Sequence, residues 1–126
     1  MADDDIYSGF TLEAAILGHA AILSTITHAK LHISPAFDGS LGASAYTTRV
    51  AATYGAADAN GLFNLTAPFS FTGLTEVENT WGVTFWTAST AGKCRMVRRF
   101  QDMKYVFNGD TLTVTAAPVQ AEAVGL

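Results

Sequence analysis

Three histidines, one cysteine and a group of arginines are the residues of this 126-residue chain whose chemistry could be put to work. His28 and His32 fall on one face of a predicted strand, but four residues at about 3.3 Å each hold them roughly 13 Å apart. Zinc takes its ligands at about 2.0–2.1 Å, so the pair cannot share a metal within one strand. His19 lies on a helix face that mixes apolar and small residues. All three read as hydrogen-bonded or solvated histidines. Cys94 stands beside Lys93 and Arg95, which would favour a thiolate if the sulfur were exposed. No base is paired with it in sequence and no loop carries a Gly-x-Ser-x-Gly turn, so a buried, inert thiol is the favoured reading. Glu76 and Glu78 share a parity, with Asn and Thr neighbours that suggest a wet loop rim. Asp38, Asp58 and Asp110, each beside or near Gly or Asn, look like turn formers. There is no phosphate loop and no dinucleotide fingerprint. The expectation is a protein with no catalytic residue, no metal and no cofactor.

The arginines are the better polar lead. Arg95 and Arg99 share a strand face, and Arg98 takes the other with Cys94 and Met96. Arginine is enriched at interfaces and forks onto carboxylates. The acidic run Asp3–Asp5 of a neighbouring copy is one candidate partner, and a solvated strand face is the rival. Phe37 and Leu41 are apolar residues in a Gly/Ser/Pro loop, either tucked under it or offered to a partner. With Tyr46 and Trp86 they complete a candidate interface of Phe37, Leu41, Tyr46, Trp86, Arg95, Arg98 and Arg99.

Composition points the same way. Apolar residues make up 49% of the chain and charged residues 14%, against about 25% charged in ordinary soluble domains. Such a surface suits a subunit whose sides are covered by neighbours. A net charge of −4 and no broad basic stripe argue against nucleic acid as the main partner. A single cysteine forbids an intrachain disulfide. The N-terminus, MADDDIY, is acidic where a signal peptide would be basic. The apolar run 12–26 is interrupted by Glu13, His19, Ser24 and Thr25 and is too short to span a bilayer of roughly 30 Å comfortably. The chain is therefore expected to be made and folded in the cytoplasm, with no membrane partner.

The elements that must position these residues centre on 79–89 (NTWGVTFWTAS), the strongest strand signal. Period two puts Trp81, Val83 and Phe85 on one side and Gly82, Thr84 and Trp86 on the other. With a tryptophan on each face, this strand should sit mid-sheet, one face on the core and the other against a second layer or another chain. A helix is expected over 11–27, capped by Thr11, with Leu12, Ile16, His19 or Ala20, Leu23 and Ile26 on one stripe. Its small residues Ala14, Ala15, Gly18 and Ala21 would allow close approach to a sheet or a sister helix. A strand over 27–34 should turn Ala29, Leu31 and Ile33 inward and His28, Lys30 and His32 outward. Further strands are expected at 45–54, 62–72, 93–100, 104–107 and 111–115. Pro68 should place its strand at an edge or break it in two, and Asn108-Gly109 is a hairpin signal. Segment 116–126 reads as a strand's end or a tail on another subunit. The expected fold is mainly β: an antiparallel β-sandwich, jelly-roll-like, with one N-terminal α-helix. Residues 1–10 form an acidic arm and 11–126 one domain.

In order along the chain, Lys30-Leu31-His32-Ile33, Ala45-Tyr46-Thr47-Thr48-Arg49, Gly82-Val83-Thr84-Phe85-Trp86-Thr87-Ala88 and Gly109-Asp110-Thr111-Leu112-Thr113 follow the alanine-rich helix. This series, over residues 11–116, resembles small virion proteins of tailed phages, especially phages of actinobacteria. The family's Thr-Gly-Asp-Pro-Gly turn is replaced here by Ser34-Pro35-Ala36-Phe37-Asp38-Gly39. The resemblance implies a non-enzymatic minor tail or capsid-decorating (head fibre) protein, located in the virion and bound to capsid or tail proteins. Together with the low charge it suggests a homo-oligomer, a trimer favoured. The alternative is a carbohydrate-binding receptor-recognition module at the tail tip, with exposed Trp86, Tyr46 or Tyr54 stacking on sugar rings.

Overall fold

A computed structural model describes residues 9–35 and 38–122. Most of the acidic arm, including Asp3–Asp5, and Phe37 of the candidate interface lie outside the described residues.

The helix α1 runs Leu12–Leu23. Thr11 caps it as its composition predicts, its Oγ1 accepting from the Ala14 N–H at 3.2 Å, and Glu13 occupies the first turn. The helix stops four residues before the expected end. There the Thr25 hydroxyl donates back to the Ile22 carbonyl at 2.6 Å and the chain turns toward the first strand. Ala15 and Leu23 are buried, and Ile16 and Ala20 pack on the core beside them.

Eight strands follow among the described residues: β1 His28–His32, β2 Val50–Ala51, β3 Leu62–Phe63, β4 Phe69–Phe71, β5 Glu78–Trp86, β6 Cys94–Val106, β7 Leu112–Val114 and β8 Val119–Gln120. They make one four-stranded antiparallel sheet, β2-β1-β5-β6, and two antiparallel pairs, β3-β8 and β4-β7. The fold is thus mainly β and sandwich-like. A jelly roll would divide eight strands between two four-stranded sheets, whereas here the second layer is built of short pairs.

The sheet's inner face carries Ala29, Leu31, Val83 and Phe85, all buried. Phe85 meets Phe69 of β4 edge-on at 5.9 Å, and Phe69 in turn meets Phe71 at 5.8 Å. These contacts hold the β4-β7 pair against the sheet, and edge-to-face pairs of this kind add to the burial of their rings. Tyr54 joins Phe85 from the side at 5.7 Å.

Several expectations are corrected. The segment 62–72 breaks in two around Pro68, the second of the two outcomes that Pro68 offers, but the halves join different partners, β8 and β7. Of the expected strand 45–54, only Val50 and Ala51 pair as a strand, with a single bridge from Tyr54 to Leu65. Asn108-Gly109 does form a turn, with Gly109 at φ 92. Its flanking strands do not pair with each other: the turn bonds to Leu74 through both Gly109 N–H and Asp110 C=O, and β7 is delivered to β4. The two strands expected at 93–100 and 104–107 are one, β6. Opposite Trp81 it makes an excursion, because Thr80 pairs with Lys104 but Gly82 with Arg99.

Candidate interaction surface

Residues paired across an antiparallel ladder point to the same side, so the register assigns each candidate to a face. Ala29, Phe85 and Met96 form one row and Leu31, Val83 and Arg98 the next, both on the inner face. The outer face carries the rows His28–Trp86–Cys94, Lys30–Thr84–Val97 and His32–Gly82–Arg99, then Thr80–Lys104. Cys94 therefore lies on the opposite side from Met96. The register slips by one residue between Phe85 and Trp86, which makes Arg95 the extra residue of a bulge.

The expectation that His32 points to solvent and Ile33 to the core is reversed. His32 is 0% exposed and Ile33 37%. The reason is a second layer that the chain supplies for itself. Residues 38–44 fold back over the outer face, with Ile33 N–H bonded to the Gly42 carbonyl and Ser44 N–H to the Leu31 carbonyl. Under this loop runs a directional chain of hydrogen bonds. The Trp86 indole N–H can only donate, and it does so to Thr84 Oγ1 at 2.8 Å. The Thr84 hydroxyl is then free to donate to His32 Nε2 at 2.7 Å, which leaves the proton on Nδ1 to reach the Leu41 carbonyl at 2.9 Å. Burial depresses the His32 pKa, and the charge of Lys30 adds to the effect against the opposing pull of the Leu41 and Gly42 carbonyls.

Glu78 is no loop-rim acid. It begins β5 and straps the same loop down, accepting from Ser44 Oγ at 2.6 Å and from Ala45 N–H at 3.2 Å. Asp38, Asp58 and Asp110 do form turns, each accepting from nearby backbone N–H groups (Ser40 N–H, Asn60 N–H and Phe107 N–H respectively).

Trp86 is half-buried. Gly39 lies against one part of its indole, where a side chain would strike both the ring and Cys94 Sγ. The Arg49 guanidinium covers the ring at 3.8 Å from its centroid while donating to the carbonyls of Ala88 and Ala91. Tyr46 is half-buried and meets Phe71 edge-on at 5.9 Å. Tyr54, named as a sugar-stacking ring if exposed, is buried. Its hydroxyl donates to the Ala117 carbonyl at 2.6 Å, and burial pushes its pKa up to about 12. Arg98 donates to the Pro118 carbonyl at 2.8 Å, which ties β6 to the chain before β8. Leu41, Arg95 and Arg99 are exposed, so these three of the candidate set offer open surface.

The chemistry of the other reactive groups is quiet. Burial raises the Cys94 thiol's pKa, so the neighbouring cations do not make it a ready thiolate. His19 bonds the Ala15 carbonyl through Nδ1 at 2.8 Å and stacks on Phe63, and His28 pairs with the Thr27 hydroxyl. Among the described residues no three His, Cys, Asp or Glu side chains converge as a metal site would need, and no helix is long and apolar enough to cross a membrane.

Two apolar surfaces were not anticipated. One lies around α1, where Leu17 and Ile22, and Phe10 just before the helix, are 65%, 51% and 73% exposed. A groove of about 350 Å³ runs there past Phe10, Ala14, Gly18 and Ile22 to Glu122. The space beside Gly18 is open, so its small side has no partner among the described residues. The other surface lies at the end of β6, where Met103, Tyr105 and Phe107 are exposed. The second had a signal in the sequence, the alternation at 103, 105 and 107.

No protein-family model matches this chain, and no curated protein or solved structure matches it either.

Proposed function

We propose that this chain is a non-enzymatic structural subunit of a tailed-phage virion, bound to the capsid exterior or to the tail as a minor protein. The observation that carries the reading is the exposed apolar surface around α1. A helix with Ala15, Ile16 and Leu23 turned to its own core that still leaves Leu17 and Ile22, and Phe10 just before it, exposed carries more apolar surface than that core covers, and large exposed apolar surface marks a contact with another macromolecule. The series of sequence motifs over 11–116 supplies the phage context. In this reading the subunit self-associates, with a trimer expected, and buries this apolar surface against other virion proteins.

The test is electron microscopy of virions assembled without the protein. Density missing from the capsid surface assigns a decorating role, and density missing from the tail assigns a minor tail protein. Virions unchanged in outline would defeat the proposal.

A further inference from the structure

We propose that the free edge of β6 is the docking strip for the acidic N-terminal segment, residues 3–7, of a second copy of this chain, laid alongside it as an added strand. The proposal rests on the self-association in the reading above and names the contact that makes it.

Three observations converge on this strip. Among the described residues β6 is the last strand in the sheet order and pairs with β5 alone. Its other edge therefore presents backbone donors and acceptors to a further strand, the usual template for an added extended segment. Charge is segregated along the chain. Five of the seven cations, Lys93, Arg95, Arg98, Arg99 and Lys104, lie on β6 or its lead-in, and three of the eleven carboxylates are consecutive at Asp3–Asp5. Finally, the cations divide by occupation. Arg98 is held by the Pro118 carbonyl, whereas Arg95, Arg99 and Lys104 stand exposed.

Geometry sets the length of the strip. From Cys94 to Arg99 the strand stays in step with β5 apart from the one-residue bulge, and the excursion opposite Trp81 follows. Six residues at about 3.3 Å each give roughly 20 Å of edge, enough for the five residues Asp-Asp-Asp-Ile-Tyr. Arginine's planar fork takes carboxylates in a bidentate fashion, so Arg95 and Arg99 select an acidic strand while the backbone bonds hold it. An arm of one copy on the edge of the next is a head-to-tail contact, which builds a closed ring when the rotation between copies permits.

Sedimentation of the full chain at low and high salt tests this. The wild type is expected to self-associate, and to do so less as salt screens contacts beyond about 8 Å at physiological ionic strength. The triple change Asp3→Asn, Asp4→Asn, Asp5→Asn should weaken association tenfold or more. A chain with Asp3→Lys, Asp4→Lys and Asp5→Lys, and another with Arg95→Glu and Arg99→Glu, should each be monomeric alone and associate when mixed. Circular dichroism and melting of each variant separate lost contact from lost fold. A monomeric wild type overturns the proposal, whether because the edge charges merely keep strands apart or because the arm folds onto its own chain. Association indifferent to the triple change, or not restored by mixing, overturns it as well. Charge-dependent association in a protein whose absence leaves virions unchanged would support the contact and remove the virion.

Discussion

His32 ends a hydrogen-bond chain that Trp86 begins, and every link fixes the direction of the next. With Thr84 donating to Nε2 and the Leu41 carbonyl accepting from Nδ1–H, the ring is satisfied only when neutral. A second ring proton would face the Thr84 hydroxyl hydrogen, and the charge would lie under the loop with Lys30 on the same sheet face. The folded pKa is depressed below the unfolded value, which is about 6.5. His32 therefore contributes stability that is fully present above that value and is lost as pH falls toward the folded pKa, since the unfolded chain takes up the proton first. Urea midpoints should be level from about pH 8 to 7 and decline below about 6.5. In His32→Gln the plateau should be lower and the decline below it shallower. Equal slopes in the two proteins would show that the acid sensitivity lies elsewhere. The same buried row explains why alternation misled at this strand: a loop, invisible to period two, covers the side that ought to be wet.

At the scale of elements, β5 and β6 approach so closely that only Gly82 fits between them. A Cβ there would run into the Arg98 carbonyl oxygen and lie 2.9 Å from the Arg99 Cα, both backbone atoms that cannot swing aside. Gly82→Ala should therefore destabilise the protein by about 3 kcal/mol, at the upper end of ordinary overpacking. Gly18→Ala, whose added methyl meets nothing within 4 Å, should be stabilising by up to about 1 kcal/mol through helix propensity. Chemical denaturation of the two variants checks the contrast, and two similar shifts would refute it. The strand itself was legible, because Thr80 to Trp86 combines β-branched and aromatic residues with period-two facing. So were the Thr11 cap, the break around Pro68 and the three aspartate turns, each a local effect. What sequence could not supply was partnership. Polar Gln101–Lys104 looked like the end of a strand, yet β6 continues through it because an edge strand tolerates exposed residues on both sides. Arg49 over Trp86, and Glu78 on Ser44, span 37 and 34 positions, and no local pattern announces either.

For the molecule as a whole, the proposed virion role would separate what folding needs from what assembly needs at the exposed apolar residues of α1. Leu17 and Ile22 are more than half exposed, so Leu17→Ser with Ile22→Ser should shift folding stability by no more than about 1 kcal/mol, since surface changes each stay within about 0.5. Incorporation of the double variant into virions should nevertheless fall sharply. Full incorporation by a normally folded variant would show that these residues are not the contact.

The ladder between β1 and β5 matches His28 with Trp86 and His32 with Gly82, so the longer of the first strand's two pairings waits for a segment fifty to fifty-eight residues downstream. Chains dominated by such distant pairings fold slowly. During synthesis, then, the early third of this polypeptide leaves the ribosome ahead of both mates of its strand, β2 and β5, and with a greasy helix in tow. Whatever shields it in that interval, a chaperone or haste, is a requirement written into the topology.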